Sequence, residues 1–176
     1  MISILLIIAN IVVFYLLRKD RLDADKLGMS YYHVFVNHQY YRLFTAAFCH
    51  VDIYHLICNL VSLYNVGTAI ERLFGSFGML CIYFGSMILG ELASLWMHHN
   101  VNDDYTLSIG ASGPIFGLEG AYVLLIFLYY RNRAFGMLGS NLISMAVISL
   151  LPGVDGKTHL CCLIAGGIIA FLLRLF

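Results

Sequence analysis

Charge is scarce in this sequence. Charged residues make up only 11% of the 176 positions, while hydrophobic residues make up 61%, a balance far from that of an ordinary soluble domain. The ten basic and ten acidic residues cancel to zero net charge, and no stretch concentrates Lys and Arg with interleaved aromatics as a nucleic-acid-binding surface would. We therefore expect lipid to be the solvent for most of the chain and exclude nucleic acid as a partner.

Cysteine and histidine motifs for metal binding are also missing. The five cysteines form no CxxC pair, and most lie in or beside apolar runs, where a small polarizable side chain packs readily. No HExxH motif is present, and His50 and His55 are five residues apart, so their side chains would diverge on a helix. The sequence therefore predicts neither a metal site nor a cofactor.

Six apolar segments are long enough to be membrane spans, since a crossing takes about 20 residues or somewhat fewer. Each is bounded by a charged or Gly/Pro-containing stretch. They cover residues 2–17, 51–70, 77–97, 112–130, 135–151 and 159–175. No basic residue precedes the first run and no small-residue cleavage site follows it, so it predicts a retained anchor. The expected fold is all-α, a polytopic membrane protein with a six-helix bundle forming one domain over residues 1–176.

The loop between the first two spans has a different composition. Residues 30–49 mix aromatic and aliphatic side chains with Asn, His, Gln and Arg, which suits a helix or loop lying in the membrane interface. Charge leaves the orientation open. Arg72, Arg131 and Arg133 in the short loops favour a cytoplasmic N-terminus, but five basic residues in the long first loop favour the opposite.

Polar residues cluster at one end of the predicted bundle. Spans two, four and six run in the same direction, so their N-terminal ends share one face of the membrane. Those ends carry His50, His55 and Asn59, then Ser112, then His159. Because polar groups inside a span are expensive, they suggest function by default.

Ser112 has a local sequence suited to acyl transfer. It lies between Gly110-Ala111 and Gly113, where a loop becomes the fourth helix, and the glycines permit close backbone approach. A helix N-terminus also offers unpaired N–H groups to an oxyanion. The alternative is a serine that only caps the helix.

His159 is the candidate base. A neutral imidazole at the start of the sixth span could accept the serine proton and return it to a leaving amine; the alternative is an interfacial histidine that meets headgroups. Small residues recur at four-residue spacing in two stripes, Gly113, Gly117 and Ala121 in one and Cys162, Gly166 and Ala170 in the other. Such stripes let membrane helices approach closely. Packing along them would bring Ser112 and His159 to the same depth.

His55 and Asn59 are four residues apart and so share one face of the second helix. Both could direct hydrogen-bond donors at a developing oxyanion. The alternative is a pair of interhelical hydrogen bonds that hold the bundle together.

Together these residues resemble the signature of the rhomboid family of intramembrane serine proteases. Its first half is matched by Tyr41-Arg42-Leu43 through Phe48, then His50, His55 and Asn59, then Gly67, Glu71 and Gly75. Its second half is matched by Gly110-Ala111-Ser112-Gly113-Pro114-Ile115-Phe116-Gly117 and by His159 followed at seven residues by Gly166. Tyr41, Thr158 and Cys162 stand where the family more often has Trp, Ala and Gly.

The resemblance implies a Ser-His dyad without an acidic third member. Ser112 would be the nucleophile and His159 the general base, with the Ser112 N–H, His55 and Asn59 as the oxyanion hole. Supporting roles are implied for Gly110, Gly113, Phe116 and His50, with Phe116 steadying the histidine ring, and structural roles for Arg42, Glu71, Gly117 and Gly166.

The resemblance further implies which partners the protein has and where it works. Its substrates would be single-span membrane proteins, cleaved within the lipid bilayer. The active site would open to the non-cytoplasmic side. The minimal six-span form favours a bacterial cytoplasmic membrane.

Two rival functions stay open. A transporter could use Glu91 and Glu119, which lie inside predicted spans, although this would leave the serine and histidine motifs unexplained. For Glu119 we expect a protonated side chain hydrogen-bonded to a neighbouring span, because an unpaired charge at that depth is costly. An inactive rhomboid-like protein that binds membrane clients would usually have lost Ser112 or His159.

Overall fold

A computed structural model describes residues 1–131, 149 and 154–175. All regular structure within these ranges is helical, apart from one isolated antiparallel bridge between Met29 and Ser108, so the predicted all-α class is confirmed. The α-helices are α1 Ile2–Arg18, α2 Ala24–Leu27, α3 Arg42–Thr45, α4 Ile53–Ser62, α5 Thr68–His99, α6 Ser112–Tyr130 and α7 Gly156–Leu173. Tyr32–Val36 and Leu63–Gly67 form π-helical turns, and Ala46–Phe48 forms a 3₁₀ turn.

Three helical runs in the described ranges have the length and apolar composition needed to cross a membrane: Ile53–His99, Ser112–Tyr130 and Gly156–Leu173. Ile2–Arg18 is a shorter apolar helix. The first run has 47 residues and would be about 70 Å long if straight, far more than a bilayer is thick. The predicted fifth span, 135–151, lies outside the described residues except for position 149.

A kink at Gly75 divides the longest run. Gly75 has φ 72° and ψ 173°, a backbone conformation that glycine adopts without steric cost. The chain therefore changes direction there, and residues 53–74 and 76–99 form two separate helices. The break lies between the second and third spans predicted from the sequence, 51–70 and 77–97.

Glu71 ties α1 to both sides of this kink. Its carboxylate accepts hydrogen bonds from the Ile2 N–H at 2.7 Å and from the Ser3 N–H and hydroxyl at 3.1 and 2.6 Å. It also accepts from the Ser76 hydroxyl at 2.8 Å, one residue beyond Gly75. A carboxylate beside the first turn of a helix satisfies N–H groups that lack an intrahelical partner.

Arg42 organises the first loop. Although it is charged, only 5% of its surface is exposed, and its guanidinium donates to the Gln39 side chain at 2.6 Å and to the backbone carbonyls of Asp25, at 2.7 Å, and Gly28. Thr45 donates its hydroxyl to the Leu27 carbonyl at 2.8 Å. These bonds satisfy carbonyl groups that the short turns leave unpaired.

Helices α6 and α7 meet backbone to backbone, as the two stripes of small residues predicted. A Cβ placed on Gly166 would lie 1.9 Å from the Gly117 carbonyl oxygen. Ala121 and Ala170 are completely buried further along the two helices. Helix α5 closes against the same place, because a Cβ on Gly90 would lie 2.5 Å from the Cys162 Cα. Gly90 therefore leaves room for the backbone and side chain of Cys162.

Gly166→Ala should loosen the α6–α7 contact. Overpacking of this kind costs about 1–3 kcal/mol, so the free energy of unfolding should fall by that amount relative to Gly167→Ala. The control is matched because a Cβ on Gly167 would find its nearest contact at 3.4 Å, from the Gly120 carbonyl. Both changes gain the same helix propensity, so their difference reports the contact alone. Unfolding in mixed detergent micelles measures it, and equal stabilities for the two variants would contradict this packing.

Candidate active site

Ser112 is the first residue of α6, and the loop before it is held in an unusual conformation. Gly110 has φ 122°, a region that other residues rarely adopt. Its N–H donates to the Ala46 carbonyl at 2.9 Å, which fixes the loop to the start of the 3₁₀ turn. Ser112 therefore starts its helix from an anchored backbone.

The structure brings Ser112 and His159 together. Ser112 Oγ lies 2.9 Å from His159 Nε2, although the two residues are 47 positions apart in the chain. The His159 side chain is buried, and the Phe116 ring stacks on it with centroids 4.0 Å apart and planes within 10°. Phe116 is one turn beyond Ser112 on α6, so a single helix supplies both the hydroxyl and the face against which the imidazole packs.

Ser149 contacts the second nitrogen of the imidazole. Its Oγ lies 3.0 Å from His159 Nδ1. If Nδ1 carries the proton and donates it to Ser149, then Nε2 is left as the acceptor for the Ser112 hydroxyl. The hydrogen-bond pattern is thus compatible with the tautomer that a general base needs.

His55 and Asn59 both approach the loop before Ser112. They lie on α4, whose N-terminus is capped by Asp52 through a 2.8 Å bond from the His55 N–H. A Cβ on Gly110 would lie 2.8 Å from His55 Cε1 and 3.8 Å from Asn59 Nδ2. Both side chains thus converge on backbone two residues before Ser112, a close approach that requires glycine at position 110.

His50 holds the Asn59 amide. Asn59 Nδ2 lies 3.0 Å from His50 Nε2, and His50 Nδ1 lies 3.4 Å from the Phe48 carbonyl. The rings of His50 and His55 pack edge to face with centroids 4.9 Å apart. The prediction that these two rings diverge was wrong, because His50 precedes α4 and helical spacing does not apply to it.

No group of three or more His, Cys, Asp or Glu side chains in the described ranges has the arrangement of a metal site.

The two carboxyl groups of the transporter hypothesis form no hydrogen bond with Ser112 or His159, although a Cβ on Gly113 would lie 3.7 Å from Glu91 Oε1. Glu91 is 2% exposed, and its Oε2 has no hydrogen-bond partner among residues 1–131, 149 and 154–175. Glu119 is half-buried on α6. The hydrogen bond expected between Glu119 and a neighbouring span is not formed with any residue in the described part of the chain.

Three residues near the site were not singled out from the sequence: Ser149, Asp155 and His98. Ser149 is a polar residue inside an apolar span, which is a signal that could have found it. Asp155 stands three residues before Thr158 and caps α7 by accepting the Thr158 N–H at 3.1 Å, a spacing typical of a helix start. His98 contacts Asp155, 57 residues away in the chain, only through the tertiary fold.

The fold and this end of the bundle define an integral membrane protein with a serine and a histidine paired between two membrane-spanning helices. A family model described as the rhomboid domain matches residues 37–176. The chain belongs to the rhomboid family, as its motifs predicted.

Curated relatives agree with this assignment. Rhomboid protease GluP of Bacillus subtilis (strain 168) is 37% identical over 133 residues, which are 73% of this chain and 25% of GluP. YdcA of the same bacterium is 29% identical over 160 residues, covering 88% of this chain and 74% of YdcA. RHOMBOID-like protein 1 of Arabidopsis thaliana is 30% identical over 164 residues, covering 89% of this chain and 41% of that protein. The chain therefore matches about a quarter of the length of GluP.

Acid should weaken the fold through His50. Burial, helped by the neighbouring His55, lowers the pKa of His50 to about 4 from the ordinary 6.5. As the pH falls, the unfolded chain therefore binds this proton at a higher pH than the folded chain does. The contribution to stability that is present above about pH 6.5 is lost as the pH falls towards 4. The loss through this one group is about 3 kcal/mol.

His50→Gln keeps an acceptor for Asn59 but cannot titrate, so its unfolding free energy should fall less between pH 7 and pH 4 than that of the wild type. The matched control is His38→Gln, because His38 is exposed; it should retain the wild-type slope. Parallel slopes for wild type and His50→Gln would show that His50 titrates alike in the folded and unfolded chains.

Proposed function

We propose that the protein is an intramembrane serine endopeptidase that cleaves membrane-anchored proteins through Ser112 and His159. The observation that carries this proposal is the 2.9 Å contact between Ser112 Oγ and His159 Nε2 at the start of two packed helices. A lone serine at a helix start is more often a cap, but a buried imidazole directed at its hydroxyl is the arrangement of a nucleophile with its base.

The reaction follows from these atoms. His159 Nε2 takes the proton as Ser112 Oγ attacks the peptide carbonyl, and the bond to the amine breaks as Nε2 returns that proton to the leaving nitrogen. Water then attacks the acyl-serine with the same base, releasing the acid and restoring the hydroxyl. Ser149 at Nδ1 and Phe116 against the ring keep the imidazole in the required tautomer and orientation.

The negative charge on the tetrahedral intermediate needs donors. The backbone N–H of Ser112 has no intrahelical partner because it begins α6, and the side chains of His55 and Asn59 converge on the adjacent Gly110. One N–H of the Asn59 amide is directed at His50, which fixes the amide and leaves its second N–H for the oxyanion. Donors fixed before reaction stabilise the developing charge without reorganisation.

The substrates of this enzyme would be single-span membrane proteins. An intact helix hides its carbonyls in internal hydrogen bonds, so cleavage favours segments that unwind easily near the membrane surface. The full bundle has six spans, with the site opening to the non-cytoplasmic side of a bacterial cytoplasmic membrane. Retention of both Ser112 and His159 within hydrogen-bond distance favours an active enzyme over an inactive client-binding relative.

Ser112→Ala and His159→Ala should each abolish cleavage of a single-span substrate in proteoliposomes, because one removes the nucleophile and the other its base. A conservative estimate of the loss is about 10⁴-fold. Thermal unfolding should show both variants folded. Ser62→Ala, at the far end of α4, is the control and should retain wild-type activity. Proteolysis that survives in purified Ser112→Ala protein would show that Ser112 is not the nucleophile and would contradict the mechanism.

Asn59→Ala and His55→Ala should lower kcat by about 100-fold for a strong donor while KM changes little, because an oxyanion donor acts mainly in the transition state. The Ser112 N–H remains, so residual activity is expected. Glu119→Gln serves as the control: it keeps the size and the hydrogen-bonding capacity of the side chain while removing ionisation, and kcat should stay near wild type. If the Asn59 and His55 changes raise KM with kcat untouched, these residues bind substrate instead. A loss of activity in Glu119→Gln would favour the proton-pathway hypothesis.

A further inference from the structure

His98, at the C-terminal end of α5, lies between two carboxylates from different parts of the chain. Its Nδ1 is 2.8 Å from Asp103 Oδ2, and its Nε2 is 3.1 Å from Asp155 Oδ2. The His98 side chain is only 12% exposed, so protein rather than water surrounds most of the ring.

The two carboxylates belong to the segments that carry Ser112 and His159. Asp103 lies in the loop that leads to Ser112, and its other oxygen accepts the Thr106 hydroxyl at 2.6 Å. Asp155 is the N-cap of α7, four residues before His159. His98 therefore joins both segments to the end of α5.

Asp155 also holds the first turn of α7 by hydrogen bonds. Its Oδ1 accepts the Thr158 N–H at 3.1 Å, and its Oδ2 accepts the Thr158 hydroxyl at 2.8 Å. The Thr158 hydroxyl also lies 2.7 Å from Ser94 Oγ on α5. These contacts give a role to Thr158, a departure from the family's usual alanine, and they fix the residue directly before His159.

The protonation of His98 decides whether both contacts can exist. A neutral imidazole carries one N–H, so it can donate a hydrogen bond to Asp103 or to Asp155 but not to both. Its other nitrogen is then an acceptor that faces a carboxylate oxygen, which is also an acceptor. An imidazolium donates to both. In the part of the chain that the structure describes, the ionisable groups within hydrogen-bond distance of the ring are these two, Asp103 from the loop and Asp155 from the start of α7.

Both acids are held in their ionised form. Hydrogen bonds from Thr106 and His98 lower the pKa of Asp103. Burial raises the pKa of Asp155, but the hydrogen bonds from Thr158 and the charge and hydrogen bond of His98 outweigh burial and lower it. Each ring nitrogen of His98 therefore faces a carboxylate oxygen, which can only accept a hydrogen bond.

We propose that His98, protonated at both ring nitrogens, is a positioning residue that straps the loop before Ser112 to the start of α7 and so sets the alignment of Ser112 with His159. This inference rests on the proposed protease function. When the ring loses its second proton as the pH rises, it can no longer donate to both carboxylates, and the link between the two segments is lost.

The test compares His98→Gln, Asp155→Asn and the double variant with wild type in proteoliposomes. Each single change should lower kcat about tenfold with KM within twofold, since a small misplacement of reacting groups is costly. The double variant should be no worse than either single one, because both break the same link. His99→Gln is the matched control: His99 also contacts a carboxylate, Asp104 at 2.8 Å, but not one on α7, so kcat should stay within twofold of wild type.

The pH profile separates this role from simple packing. The ratio of wild-type to His98→Gln activity should be largest at low pH and fall towards one as the pH rises, because only the wild type has a proton to lose. A ratio that stays constant across pH, or an unchanged kcat in His98→Gln, overturns the proposal.

A second readout does not need activity. Nitrogen NMR of the ¹⁵N-histidine-labelled wild-type protein at pH 6 should show both ring nitrogens of His98 protonated, with the signals assigned by their loss in His98→Gln or His98→Asn. A single protonated nitrogen overturns the proposal even if a variant fails to fold. If NMR shows both protons while the wild-type protein cleaves no substrate, the proposed protease function is wrong, and with it the role of His98 in aligning Ser112 with His159.

Discussion

The close approach of α6 and α7 is the constraint on which the site depends. Because a Cβ on Gly166 would lie 1.9 Å from the Gly117 carbonyl, nothing larger than hydrogen fits between the backbones there. Both helices begin at the same level, so this contact also determines how far Ser112 Oγ is from His159 Nε2. Lipid supplies no hydrophobic force between helices, and shape complementarity of small residues takes its place.

Polar side chains hold the ends of the bundle, where the helices stop and backbone groups lose their partners. Glu71 binds the first N–H groups of α1 across the Gly75 kink. Arg42 binds loop carbonyls near the opposite face. Asp155 caps α7 four residues before His159. Ser112 and His159 therefore lie at a rim of fixed hydrogen bonds above an apolar interior.

Local patterns in the sequence were enough to predict the long helices in the described part of the chain and the pairing of small residues. The predicted fourth span, 112–130, coincides with Ser112–Tyr130, and the sixth, 159–175, begins three residues late because Asp155 caps the helix earlier. Contacts made only by the tertiary fold could not be predicted. The Ser149 hydroxyl at His159 Nδ1 and the ring of His98 between two acids depend on how distant segments pack, which periodicity does not report.

The most direct test of the account is the reaction of folded, detergent-purified protein with a fluorophosphonate, followed by mass-spectrometric mapping of the labelled residue. The account predicts a single adduct on Ser112, lost when the protein is unfolded in advance and lost in folded His159→Ala, because the hydroxyl is nucleophilic only beside its base. Labelling of another serine, or equal labelling of Ser112 with and without His159, would contradict it.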